Sequence, residues 1–315
     1  MSVAFVFPGQ GSQAVGMGKA LADQFASARA VFSEVDDALG EKLSATMFEG
    51  PADKLTLTEN AQPALMAVSL AAMRVLEGEA GVDLKRDAQF VAGHSLGEYS
   101  ALAAAGAFSI ADAARLLRTR GLAMQKAVPV GTGAMAALLG LDFEQVKQIA
   151  LEAAQNGVCQ AANDNGAGQV VVSGDKAAVE RAVELAKVKG AKRAMMLTVS
   201  APFHCALMQP AADAMAEALR KIKVNAPAVP VVSNIKVEPL SDPTQIVGAL
   251  VAQVTGTVRW RESVEFMAGK GVTTFYEVGA GKVLSGLIKR IASNVSASTV
   301  GSPEDVAAFK SSKAG

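Results

Sequence analysis

The chain is 315 residues long and half apolar, with only 5% aromatic side chains, a blend suited to an α/β protein of short buried strands and alanine-rich helices. Thirty basic and thirty acidic side chains cancel, which leaves no electrostatic footprint for nucleic acid and no polybasic run suited to anionic lipid. Cys159 and Cys205 are too few for a disulfide framework or a zinc site, and the N-terminus has neither a basic n-region nor a membrane-length apolar run, so a cytoplasmic protein without metal is expected.

In chain order, Val3–Phe7 reads as a buried strand running into Pro8-Gly9-Gln10-Gly11-Ser12-Gln13, with a helix from near Gly16. That loop fits a loose dinucleotide pattern, G-x-G-x-x-G/A, which also needs an acidic residue ending a second strand about twenty positions on. Here 28–39 has helical spacing, so Glu34, Asp36 and Asp37 do not end a strand. The loop is better read as a set of backbone donors beside a neighbouring strand end. A long apolar helix starts at Asn60-Ala61-Gln62-Pro63 and runs to Leu76.

Residues 89–92 then form a short buried strand, and 98–105 a helix-forming run ending at Gly106. Between them lies Gly93-His94-Ser95-Leu96-Gly97, a G-x-S-x-G pentapeptide in the strand-turn-helix setting that a nucleophile elbow requires. The flanking glycines permit the turn and put the Ser95 hydroxyl at a helix N-terminus, where amide groups and the helix dipole stabilise an oxyanion. Ser109 reads as the N-cap of a helix over 110–126. From Gly133 to Ser200 the order is strand, helix, strand, strand, helix, strand, the β-α-β-β-α-β unit of ferredoxin-like subdomains. Larger α/β material follows, with helices over 206–222, 243–254, 260–269 and 282–292 and strands over 229–233 and 274–278. The tail after Pro303 is polar and is expected to fray.

The expected architecture is therefore α/β: a large α/β-hydrolase-like domain (1–130 and 201–315) with a parallel sheet and nucleophile elbow, plus an inserted ferredoxin-like subdomain (131–200). Ser95 precedes the insert and His204 follows it, so the cleft between lobes is expected beside both.

A serine hydroxyl needs a base within hydrogen-bond reach. The chain has two histidines. His94 adjoins Ser95, and neighbouring side chains in an extended segment leave in opposite directions, so His204, in the loop Ser200-Ala201-Pro202-Phe203-His204, is the better candidate. Cys205 invites a cysteine-nucleophile reading, but adjacency again points it away from His204. On the helix 110–126, Arg120 falls about 40° from the centre of the apolar stripe formed by Ile110, Ala113, Leu117, Gly121 and Met124. A half-buried arginine there either makes an internal salt bridge, or snorkels, or grips a carboxylate-bearing ligand bidentately.

With these residues in view, the chain resembles the malonyl-CoA:acyl carrier protein transacylases from end to end. The match rests on Phe7-Pro8-Gly9-Gln10-Gly11-Ser12-Gln13, Gly93-His94-Ser95-Leu96-Gly97-Glu98-Tyr99, Arg120-Gly121, Ala161-Ala162-Asn163, Ser200-Ala201-Pro202-Phe203-His204 and Gln253. The resemblance implies Ser95 as the acylated nucleophile, His204 as its base, the backbone N–H groups of Gln10 and Leu96 as the oxyanion hole, and Arg120 as partner of the malonyl carboxylate. It gives Gln253 a backbone carbonyl that orients the histidine in place of a triad aspartate. Phe203 looks like the malonyl-selecting arrangement; Met124 either lines the acyl pocket or is a core residue. Implied too are malonyl-CoA and acyl carrier protein as partners, a monomer, and no cofactor, the coenzyme A thioester being substrate. Lys187, Lys189, Lys192 and Arg193 are candidates for a basic carrier-protein patch, or else a solvated face. Two rival readings stay open: a serine esterase or thioesterase sharing the nucleophile and base, and a non-catalytic acyl-CoA or carrier-protein binding module.

Overall fold

The computed structural model describes residues 2–314, and among them are ten strands: β1 (Val3–Phe7), β2 (Phe90–Gly93), β3 (Gly133–Leu139), β4 (Cys159–Asp164), β5 (Gln169–Asp175), β6 (Arg193–Met196), β7 (Val231–Val232), β8 (Pro239–Leu240), β9 (Thr274–Val278) and β10 (Ser296–Val300). They form a six-stranded sheet ordered β10-β9-β1-β2-β7-β8 and a four-stranded sheet ordered β4-β5-β3-β6. In the first, all pairings are parallel except the β7–β8 hairpin. A parallel sheet is covered on both faces, which is why β1 and β2 read as unbroken apolar runs and are buried almost throughout.

The four-stranded sheet is antiparallel throughout, and its strands and two helices, Phe143–Ala154 and Lys176–Val188, follow the expected β-α-β-β-α-β order. Leu138, Val146, Ile149, Val172 and Val179 give it a core of its own. Its edge is tied to the larger lobe through β4. The Val258 amide donates to the Ala162 carbonyl (2.8 Å), the Asp164 amide donates to the Val258 carbonyl (2.9 Å), and buried Asp164 pairs with Arg261 (2.8 Å).

Two helices of the large lobe carry residues to the cleft. Thr58–Ala80 starts before Pro63 and is buried along most of its length. Ile110–Ala127 is capped by the Ser109 side chain, which accepts from the Asp112 amide. The pair approaches to backbone contact at Gly121, where a Cβ would fall 2.5 Å from Glu59 Cα. Only glycine fits there, and the close crossing brings Gln62 and Arg120 side by side.

The tail is not frayed. Ser296–Val300 adds the edge strand β10, and Pro303–Ala314 is a helix whose Val306 and Phe309 are buried. Phe309 packs edge-on against Tyr276 (4.7 Å between ring centroids) and lies near Phe5. The segment is polar on average, yet those apolar side chains suffice to dock it on the sheet. Among the described residues no helix is long and apolar enough to cross a membrane.

Candidate active site

Strand β2 leads into the helix Leu96–Ala104 through His94 and Ser95, with Ser95 held at φ 54°, ψ −109°. A non-glycine residue held there stores strain of about 1–3 kcal/mol, which the surroundings must over-determine. They do so sterically and by hydrogen bonds. A Cβ on Gly93 would lie 1.9 Å from the Gly97 carbonyl carbon, and one on Gly97 would lie 2.2 Å from the Phe7 carbonyl oxygen. The Asn234 side chain brackets the turn, its Oδ1 accepting from the Ser95 amide (2.8 Å) and its Nδ2 donating to the Gly93 carbonyl (2.7 Å). Gln253 Nε2 donates to the Ser95 carbonyl (3.0 Å).

His204 sits in the loop after β6, itself at positive φ (59°) and buried. Its Nδ1 lies 2.9 Å from the Gln253 backbone carbonyl and its Nε2 lies 2.8 Å from Ser95 Oγ. A carbonyl only accepts, so Nδ1 carries the proton, and the neutral ring then offers its Nε2 lone pair to the serine hydroxyl. Burial, then the charge of Arg120, pushes the imidazole down to about 3, so the ring is neutral at physiological pH. His94 points elsewhere, its Nε2 to Asn165 Oδ1 at 2.9 Å. Cys205 likewise turns away, its Sγ donating to the Pro202 carbonyl.

Arg120 is 1% exposed, and no carboxylate lies within ion-pair distance of it among the described residues. The internal salt bridge open to the sequence is not there. Instead Nη1 donates to Gln62 Oε1 (2.7 Å), while Nη2 donates to Gln253 Oε1 (2.9 Å) and to Ser95 Oγ (3.2 Å). The Tyr99 ring lies beneath it at 5.6 Å. A buried guanidinium hydrogen-bonded only to neutral oxygens keeps its positive charge beside the Ser95 hydroxyl, and burial lowers its pKa only from a very high value.

These groups face a cleft of about 800 Å³ between the lobes, lined among others by Gln10, Leu96, Met124 and Phe203. Leu96 is the first residue of its helix, so its N–H has no partner in the preceding turn. The loop carrying Gln10 packs on the elbow, since a Cβ on Gly9 would lie 2.7 Å from the His94 carbonyl oxygen. Met124 faces the cleft and its sulfur touches Gln62 Nε2 (3.7 Å), so the methionine is core and cleft wall together. Lys187 and Lys189 pair with Glu184 and Glu152. Neither they nor Lys192 and Arg193 line the cleft. Among the described residues no three His, Cys, Asp or Glu side chains cluster as a metal site would require.

Gln62, Asn234 and Glu98 belong to this constellation without having been singled out for it from the sequence. Gln62 and Glu98 stand inside quoted motifs, but a glutamine before a proline and a glutamate in a first helical turn have commoner explanations. Asn234 carries no local signal.

Residues 4–306 match the acyl transferase domain family. The chain is 50% identical over 305 residues to the malonyl CoA-acyl carrier protein transacylase of Escherichia coli K12, covering 97% of each. It superposes on the crystal structure of an acyl-carrier-protein S-malonyltransferase from Bartonella henselae with TM-score 0.97 at 59% identity, covering 100% of both chains. A malonyl-transacylase solved in complex with its type II PKS acyl-carrier protein matches with TM-score 0.95 at 44% identity, over 99% of this chain and 100% of that one.

Proposed function

The chain belongs to the acyl transferase domain family, and we propose on that premise that it transfers a malonyl group from malonyl-CoA to the phosphopantetheine thiol of acyl carrier protein, supplying fatty acid synthesis. The observation that carries the reading is the convergence of Ser95, His204 and Arg120 within hydrogen-bond reach of one another or of a shared atom in one buried site.

The distances among Ser95, His204, Gln253 and Arg120 support the following chemistry. His204 Nε2 takes the Ser95 Oγ proton as the oxygen attacks the thioester carbonyl. The imidazolium that forms keeps its Nδ1–H on the Gln253 carbonyl, so no acidic third member is needed. The backbone N–H groups of Gln10 and Leu96 receive the oxyanion, each such donor being worth roughly 3 kcal/mol in related chemistry. Coenzyme A leaves as the thiol, taking its proton from His204, and a malonyl-serine ester remains. The carrier-protein thiol then attacks the ester and the steps run in reverse, which is ping-pong kinetics.

Arg120 binds the far carboxylate. After burial, its charge is also a cause of the low basicity of His204, so a carboxylate seated on the guanidinium offsets that charge and recovers part of the basicity. An acetyl group does neither. Phe203 adjoins the base and lines the cleft, where its bulk, as in the family this chain resembles, disfavours a methyl branch at the acyl α-carbon, and Met124 forms the wall beside Gln62.

We read the smaller lobe, bounded near residues 131 and 200, as a ferredoxin-like insert: its strand order and antiparallel pairings support this. The large lobe is read as α/β-hydrolase-like on the strength of its parallel sheet and elbow. The enzyme is expected to act as a cytoplasmic monomer that uses no cofactor.

Incubation with malonyl-CoA followed by intact-mass measurement tests the reading. A malonyl adduct that disappears on adding carrier protein, and never forms in Ser95→Ala, is expected. Free malonate without adduct would mean hydrolysis, and transfer persisting in Ser95→Ala would remove the covalent mechanism.

A further inference from the structure

Glu98 is the third residue of the elbow helix and 2% exposed, yet no cation lies within ion-pair distance of it among the described residues. A carboxylate so placed is costly, and burial raises its pKa to about 7. Its Oε2 accepts from Gln253 Nε2 at 2.7 Å and from the Asn234 amide at 3.2 Å. The function proposed above gives it no role.

Gln253 is fully buried, and its amide has one acceptor end and one donor end. The donor end faces Glu98 Oε2 and the Ser95 carbonyl (3.0 Å), both acceptors, and the acceptor end faces Arg120 Nη2 (2.9 Å). Rotating the amide by half a turn would set NH₂ against guanidinium and oxygen against carboxylate, so each of these contacts would become repulsive. The Ser95 carbonyl and, at 3.3 Å, Asn234 Oδ1 favour the observed orientation with neutral bonds; Glu98, when ionised, favours it with a charge-assisted one, roughly twice as strong.

We propose that Glu98 is a positioning residue that holds the Gln253 amide with its oxygen toward Arg120, and through it keeps the guanidinium aimed at the acyl carboxylate. This rests on Arg120 being the carboxylate partner. The backbone carbonyl of Gln253, which serves His204, is set by the end of its own helix, Pro243–Gln253. Loss of Glu98 therefore acts on carboxylate recognition more than on proton transfer.

The test compares Glu98→Met, which removes the acceptor, with Glu98→Gln, which keeps one, measuring kcat and KM for malonyl-CoA and acetyl-CoA with carrier protein as acceptor. Glu98→Met is expected to raise the malonyl-CoA KM and lower malonyl-over-acetyl selectivity about tenfold, the equivalent of ~1.4 kcal/mol, with acetyl kcat/KM changed less than about threefold. Glu98→Gln is expected to recover the selectivity. Should Glu98→Met not fold, Glu98→Asp withdraws the carboxylate from Gln253 by one methylene and must show the same split. Selectivity unchanged in a folded Glu98→Met or Glu98→Asp, or equal losses for both donors, would overturn the inference while malonyl transfer by the wild type stands. Absence of malonyl transfer in the wild type would overturn the function itself, and this inference with it.

Discussion

Replacing Arg120 with methionine separates recognition of the acyl carboxylate from acyl transfer itself. The guanidinium is buried, is held by the oxygens of Gln62, Gln253 and Ser95, and among the described residues has no carboxylate within ion-pair distance. A malonyl carboxylate in the cleft would depend on it for its counter-charge. Stripping one partner from a buried ion pair costs about 3–5 kcal/mol, and at 1.4 kcal/mol per tenfold this is a loss of roughly two to three and a half orders of magnitude in kcat/KM for malonyl-CoA. Acetyl-CoA brings no second charge. It loses at most the bond from Nη2 to Ser95 Oγ, so its kcat/KM is expected to change by less than about tenfold. Both donors are measured under initial-rate conditions with carrier protein as acceptor, and a thermal melt checks that leaving the two glutamine oxygens without a donor has not unfolded the protein. Equal falls for malonyl and acetyl in a folded variant would refute the assignment, because a purely structural arginine cannot tell the two acyl groups apart.

The elbow should tolerate no side chain at position 97. Gly97→Ala places a Cβ 2.2 Å from the Phe7 carbonyl oxygen, an overpacking against backbone expected to cost about 3 kcal/mol in urea denaturation, and wild-type stability would contradict it. For His204 the pKa falls from 6.5 to about 3 on folding, through burial and then Arg120. The unfolded chain therefore binds the extra proton between those values, and stability drops as pH falls from about 6.5 toward 3. His204→Gln is expected to flatten that part of the stability curve, and an unchanged pH slope would contradict the burial argument. Phe203→Ser enlarges the cleft beside the base and is expected to raise methylmalonyl transfer relative to malonyl by about tenfold, a methyl group's worth of steric relief; a ratio unmoved in competition assays would place the selecting contact elsewhere.

What the amino-acid sequence determined alone is what depends on a few consecutive residues. The strand-turn-helix around Ser95, the Ser109 cap, the β-α-β-β-α-β order and the inward-facing position of Arg120 all follow from side-chain period and backbone sterics. The polar tail misled for the same reason: Val306 and Phe309 are too few to set an average, and only a neighbouring sheet gives them something to cover. Tertiary structure decided the site. The strand order β9-β1-β2-β7 places the elbow after β2 beside the loop after β1 and the Asn234 turn after β7. The helix crossing at Gly121 sets Gln62 against Arg120, and Gln253 arrives from a helix 158 residues beyond Ser95 to touch the serine, the arginine, the histidine and Glu98. A residue's reading along the chain ends at its neighbours, whereas the orientation of a buried amide is settled by every donor and acceptor around it, and those come from segments that only the packed fold brings together.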